Sequence, residues 1–157
     1  MSRSLYTNEG FMNRNATFET FGGTRTLVAD YAHWSVQARP KQVTLGAMIL
    51  LSHSPAHSFS ALPPEAFAEL SQVVRDIETI AAETFGYAKI NYLMLMMVDP
   101  HIHFHVLPRY GAPVEFEGTT YPDPGWPGQP DLGASEGLAD AARVTAVLKA
   151  AWPKPHA

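Results

Sequence analysis

The chain contains no cysteine. That excludes a disulfide framework and any zinc site built on thiolates, and says little else about compartment. Charge is also sparse: charged residues are 17% of the chain, with a formal net charge of −4. Without a basic excess there is no broad electrostatic footprint for DNA or RNA, so nucleic acid is not expected as a main partner. An anionic substrate needs local cations instead, and Arg39, Lys41, Lys89 and Arg109 are the candidates. Long apolar runs are missing too. The longest, Ala47–Leu51 and Tyr92–Val98, have the length of strands rather than membrane spans. No signal-peptide pattern is present, so a cytoplasmic protein with no membrane partner is expected. With 157 residues, 46% of them hydrophobic, the chain reads as a single domain over 1–157 able to bury a core.

What the chain does have is Asp99-Pro100-His101-Ile102-His103-Phe104-His105-Val106-Leu107-Pro108-Arg109. Three of the seven histidines alternate with apolar, β-prone residues, which is the period of a strand. On such a strand the three imidazoles share one face, while Ile102, Phe104 and Val106 enter a core. Pro108 cannot donate to a ladder and is expected to end the central pairing. A lone histidine on a strand is usually structural, but three in alternation make that reading poor.

Two chemistries compete for such a stretch. A single metal ion would need nitrogens within about 2.1 Å of it, whereas the outer Cα atoms of a straight strand lie about 13 Å apart. Two of these histidines with His33, His53 or His57 remain possible as ligands. Alternatively, a neutral imidazole attacks phosphorus and holds the transferred group as a phosphoramidate, with its neighbours orienting it and meeting charge. Three histidines in a row suit that use because each has a separate task and they need not converge on a point.

His101-Ile102-His103-Phe104-His105-Val106-Leu107 resembles the motif of the histidine triad superfamily. The continuation Leu107-Pro108-Arg109 is similar to the branch of dinucleoside polyphosphate hydrolases that includes the fragile histidine triad proteins. The resemblance covers about Leu27 to Arg109. It implies that His103 is the nucleophile, with His101 and His105 handling charge and protons. Uridylyltransferase relatives carry glutamine at the third position, so His105 implies hydrolysis. Gln37 would bond the ribose, Lys89 and Asn91 resemble a lysine-x-asparagine pair of some bacterial members, and Asn91 would either face the nucleotide or serve as a structural amide at a strand end. Lys89 and Arg109 would hold phosphates. The sequence departs from the pattern at Ala47, where an accessory histidine is usual. It departs again at Met97 and Val98, which occupy the neighbourhood of a glutamine and a serine or threonine. The resemblance also implies a homodimer. It implies no required cofactor and no resident metal; a divalent cation is possible with the nucleotide substrate.

Along the chain, residues up to about 24 read as an irregular arm with one short helix. Thr24–Val28 and Ala32–Arg39 read as strands joined at Ala29-Asp30, and Val43–Leu51 as a third strand. Leu62–Phe85 is the clearest helix: Pro63 and Pro64 suit its first turn, and Gly86 its end. Its apolar face is Phe67, Leu70, Val73 or Val74, Ile77, Ile80 and Ala81, with its acidic residues on a solvated face. Asn91–Val98 is apolar on both faces and reads as a central, doubly covered strand. The Pro/Gly-rich segment 111–133 reads as a loop with little regular structure, in which Trp126 either plugs a groove or closes over a nucleotide. A C-terminal helix is expected over about Ser135–Ala151. The fold expectation is α+β: a mostly antiparallel sheet of about five strands with one long packed helix and a C-terminal helix, its core at about 24–110. The function expectation is a nucleotide phosphohydrolase acting on dinucleoside polyphosphates or nucleoside phosphoramidates. The alternatives are a metal-dependent hydrolase and a nucleotide-binding protein with little catalysis.

Overall fold

Five runs of β-prone residues pair side by side: Leu27–Asp30 (β1), Trp34–Ala38 (β2), Met48–Ser52 (β3), Lys89–Leu93 (β4) and His103–Arg109 (β5). They form one antiparallel sheet in the order β1-β2-β3-β5-β4. This computed structural model describes residues 14–133 and 141–153. Helices occur at Ala16–Thr20 (α1), Pro64–Phe85 (α2) and Ala141–Ala151 (α3). The architecture is the expected α+β one, and the alternation of each strand decides its two faces. Trp34, Val36, Ala38, Met48, Leu50 and Val106 point to one side and share the main core with Val73, Ile77 and Ala81 of α2 and Val144 and Leu148 of α3. Each such aliphatic side chain contributes roughly 1.5–3 kcal/mol when fully buried. The opposite face carries Ile49 and Leu51 beneath Phe18 of α1. No helix among the described residues is long and apolar enough to cross a membrane.

α2 has Pro63 as N-cap, Pro64 in its first turn, and Gly86 as C-cap in the left-handed region at φ 66. Its buried face runs Ala66, Val73, Ile77, Ile80, Ala81 and Phe85, whereas Phe67 is exposed and stacks on Phe59 at 5.4 Å. Its acidic residues are not simply solvated. Glu69 accepts hydrogen bonds from the backbone N–H groups of Ala32 and His33, Asp76 from the Tyr31 hydroxyl, and Glu78 from the Tyr92 hydroxyl. These contacts correct the first hairpin. Gly23–Arg25 is a 3₁₀ turn, β1 extends to Asp30, and the connection falls at residues 31–33, held by the Glu69 carboxylate rather than by turn-forming residues.

β3 begins at Met48, later than expected, because the Gln42 side chain bonds the backbone of Arg39, Gly46 and Ala47 and holds 42–47 in a loop. Pro108 ends pairing on the β3 side only, since the ladder with β4 continues through Ile90↔Pro108 to Lys89↔Arg109. β4 is therefore an edge strand, contrary to the central position expected for 91–98. Met94 and Met96 reach the main core, while Leu95, Met97 and Val98 are exposed. The segment 111–133 also holds more order than expected. Val114–Phe116 (β6) and Thr119–Tyr121 (β7) form a hairpin whose two turn residues, Glu117 and Gly118, both have positive φ. Of the expected C-terminal helix, 141–151 is present and 135–140 lies outside the described residues.

Gly46 sits at φ 85, and a Cβ there would come within 2.7 Å of the Phe85 ring. Gly46→Ala should lower unfolding free energy by about 1–3 kcal/mol, read from urea denaturation.

Candidate active site

Odd-numbered residues of β5 share the face beneath α1, and the register extends that face across the sheet. His103 lies opposite Leu51 and Leu51 opposite Ser35; His105 lies opposite Ile49 and Ile49 opposite Gln37. Asn15 caps α1 and donates its side-chain amide to the Ser52 carbonyl, so the short helix is tied over this face. The Phe21 ring follows α1 and stands 5.7 Å from the His103 ring and 6.0 Å from His105. Under this cover His103 is 2% exposed and His105 9%. His101 precedes the strand and is more open. It shares a 2.9 Å hydrogen bond with the Thr17 hydroxyl through Nδ1, and its ring meets His57 edge-on at 5.0 Å.

Hydrogen-bond chemistry sets the state of two imidazoles. His103 Nδ1 is 2.7 Å from the His101 carbonyl oxygen. A carbonyl only accepts, so Nδ1 carries the proton, and in the neutral ring Nε2 presents a lone pair. His105 Nδ1 is 3.3 Å from Arg39 Nε. A guanidinium only donates, so this nitrogen is an acceptor and His105 is neutral, with its proton on Nε2. Burial, then the Arg39 cation and His103, lower the His105 pKa to about 4. His101 is also lowered, by burial first and then by His57 and His103, against an opposing pull from Asp99. Burial lowers Arg39 as well, yet a guanidinium remains cationic at neutral pH. The three histidines therefore present one ring lone pair, on His103 Nε2, beside neutral imidazoles and one cation.

No protein-family model matches the chain, and no curated protein matches it. Solved structures do. A histidine triad protein from Sinorhizobium meliloti 1021 superposes with a TM-score of 0.66 at 17% identity, covering 88% of this chain and 96% of that one. A hypothetical histidine triad nucleotide-binding protein from Sulfolobus tokodaii gives 0.59 at 14% identity, covering 80% and 82%. A HIT family protein from Bacillus anthracis gives 0.50 at 25% identity over 55% of this chain, which spans 64% of that protein's length. The chain has the histidine triad fold.

Within that fold, the other residues singled out from the sequence fall in different places. Gln37 is on the triad face but fully buried; its amide donates to the carbonyls of Phe18 and Gly23, so it anchors the covering segment instead of facing a ribose. Arg109 is equally buried and forms a bidentate pair with Asp123, at 2.7 and 3.1 Å, while its Nη1 donates to Asn91 Oδ1 at 2.7 Å. That network commits Arg109 fully, so it is not open to phosphate, and it turns the Asn91 carbonyl oxygen toward Arg109. Lys89 is exposed opposite Arg109, at the end of the sheet away from His103. Trp126 packs its indole on Gly111, beyond that same end of β5. The triad and these five residues are not one cluster.

The site partners missed from the sequence are Thr17 and Phe21, together with the Arg39–His105 contact; His57, read from the sequence only as a possible metal ligand, lies against the His101 ring. Arg39 was legible only as a local cation; its step of two from Gln37 is the signal that puts it on the triad face. Among the described residues no group of three or more His, Asp or Glu side chains is arranged to hold a metal ion. His53 instead pairs with Asp30 at 3.0 Å.

Breaking a buried ion pair leaves one charge uncompensated. Asp123→Ala should therefore cost about 3–5 kcal/mol in chemical denaturation. In an NMR titration His105 should stay neutral from pH 7 downward and protonate with a midpoint at about 4.

Proposed function

We propose that the protein is a nucleotide phosphohydrolase that acts on dinucleoside polyphosphates or nucleoside phosphoramidates through a covalent nucleotidyl-histidine on His103. The observation that carries this reading is the Nδ1–H bond from His103 to the His101 carbonyl, which fixes the tautomer and aims Nε2 as the nucleophile. In the first step the Nε2 lone pair forms a P–N bond to the α-phosphorus, and the bond to the leaving group breaks with its electron pair departing on that group. The His101 carbonyl then faces the N–H of a phosphorylated, cationic ring, which strengthens the same hydrogen bond. In the second step a water oxygen attacks phosphorus and passes a proton to the surrounding solvent, and the P–N electron pair returns to Nε2, leaving the ring neutral with its proton on Nδ1. The product is a nucleoside monophosphate.

Phe21 occupies the space over His103 and His105, so substrate entry displaces that ring. These steps are written without a protein-bound metal, and a divalent cation could accompany the nucleotide as its counter-ion. Pairing of two copies belongs to the same proposal, supported by the open edge of β4 and the exposed Leu95, Met97 and Val98 beside it. The substrate pool proposed is cytoplasmic.

Intact-protein mass after brief mixing with diadenosine tetraphosphate, quenched so that phosphoramidates survive, should rise by one adenylyl group. His103→Ala should fold, show no adduct, and lose more than ~10⁴-fold in turnover. Wild-type turnover by that variant would remove His103 from the nucleophile's role.

A further inference from the structure

Arg14, Arg109 and Arg143 each meet a carboxylate, on Asp30, Asp123 and Glu117 respectively. Arg39 is different. It is partly buried beside the triad, and among the described residues no carboxylate pairs with it. Its Nε donates to His105 and its Nη1 to the Lys41 carbonyl at 2.8 Å, both neutral acceptors; Nη2 has no hydrogen-bond partner among the described residues. A desolvated cation held against neutral groups, within contact of the reacting strand, is a site prepared for an anion.

The leaving group is the part of the substrate whose charge changes in the reaction. If it is a polyphosphate, the breaking P–O bond leaves its electron pair on a phosphate oxygen, and negative charge grows there. If it is an amine, the breaking P–N bond needs a proton delivered to nitrogen. The Arg39–His105 hydrogen bond bears oppositely on the two cases. A cation beside the departing oxygen stabilises the first. The same bond keeps His105 Nδ1 unprotonated and leaves only the N–H of a neutral imidazole, a feeble acid, for the second.

We propose that Arg39 binds the departing phosphate and selects nucleoside polyphosphates over nucleoside phosphoramidates as substrates of the His103 site. The selection rests on the hydrolase reading above; the anion site does not. Arg39 then has two tasks, one through Nε on His105 and one through its unoccupied Nη2 on the leaving group. A lysine at this position could supply the charge but not both contacts in one plane.

The test compares wild type, Arg39→Gln and Arg39→Lys on diadenosine tetraphosphate and on adenosine 5′-phosphoramidate. In parallel, inorganic tripolyphosphate is titrated calorimetrically into His103→Ala and into the double variant with Arg39→Gln. The expected result is a loss in kcat/KM of about 10²–10³-fold on the tetraphosphate for Arg39→Gln. That loss should exceed the loss on the phosphoramidate by at least about tenfold, with partial recovery in Arg39→Lys. Tripolyphosphate should bind His103→Ala and fail to bind the double variant. Equal losses on the two substrates, or tripolyphosphate binding that ignores Arg39, would overturn the proposal. If wild type turns over neither substrate, the hydrolase reading falls, and the anion site stands or falls on the tripolyphosphate titration alone.

Discussion

A strand clamped on both edges governs this molecule. β5 pairs with β3 along one side and β4 along the other, so its register cannot slip without breaking two ladders. Alternation then does the sorting. Phe104 and Val106 turn to the helices on one side, while His103 and His105 turn to α1 on the other, and the ring of each histidine inherits the rigidity of the backbone. The ring centroids of His103 and His105 stand 5.1 Å apart. Because His103 reaches back to the carbonyl of His101, the strand also sets which ring nitrogen holds a proton.

Burial around that strand makes the remaining electrostatics selective. The triad face is closed by Phe18 and Phe21, so charges placed there are poorly solvated and each needs a partner. Arg109 finds two, in Asp123 and Asn91, and becomes part of the frame at the far end of β5. Arg39 finds only neutral acceptors and remains poised for a ligand. Two arginines on one face of one sheet thus differ in use for a reason visible in their neighbours. The same economy appears in α2, whose carboxylates at Glu69, Asp76 and Glu78 hold the hairpin and two tyrosines in place.

Much of this was legible from residue order, and the failures share a cause. The long helix, its caps and the histidine strand follow from local pattern, because period and capping are properties of neighbours in sequence. The β1–β2 turn was misplaced because Glu69, some 36 residues away, decides where it falls. Residues 91–98 looked central because both faces are apolar, yet an edge is defined by what does not pair beside it. The Glu117-Gly118 hairpin was hidden in a stretch whose prolines suggested disorder of pattern. Gln37, Asn91 and Arg109 have the chemistry to bind a nucleotide, and each is occupied by a partner distant in sequence.

By itself, then, the sequence determined an α+β fold, the alternation that gathers three imidazoles, and the chemistry those imidazoles make available. These depend on φ, ψ preference and side-chain period, which act over a few residues. The tertiary structure alone decided which ring nitrogen of His103 and of His105 carries the proton, that Phe21 covers the pair, and that Arg39 rather than Arg109 stands beside the site. Hydrogen bonds and burial between segments far apart in the chain settle such matters, and no local pattern encodes them.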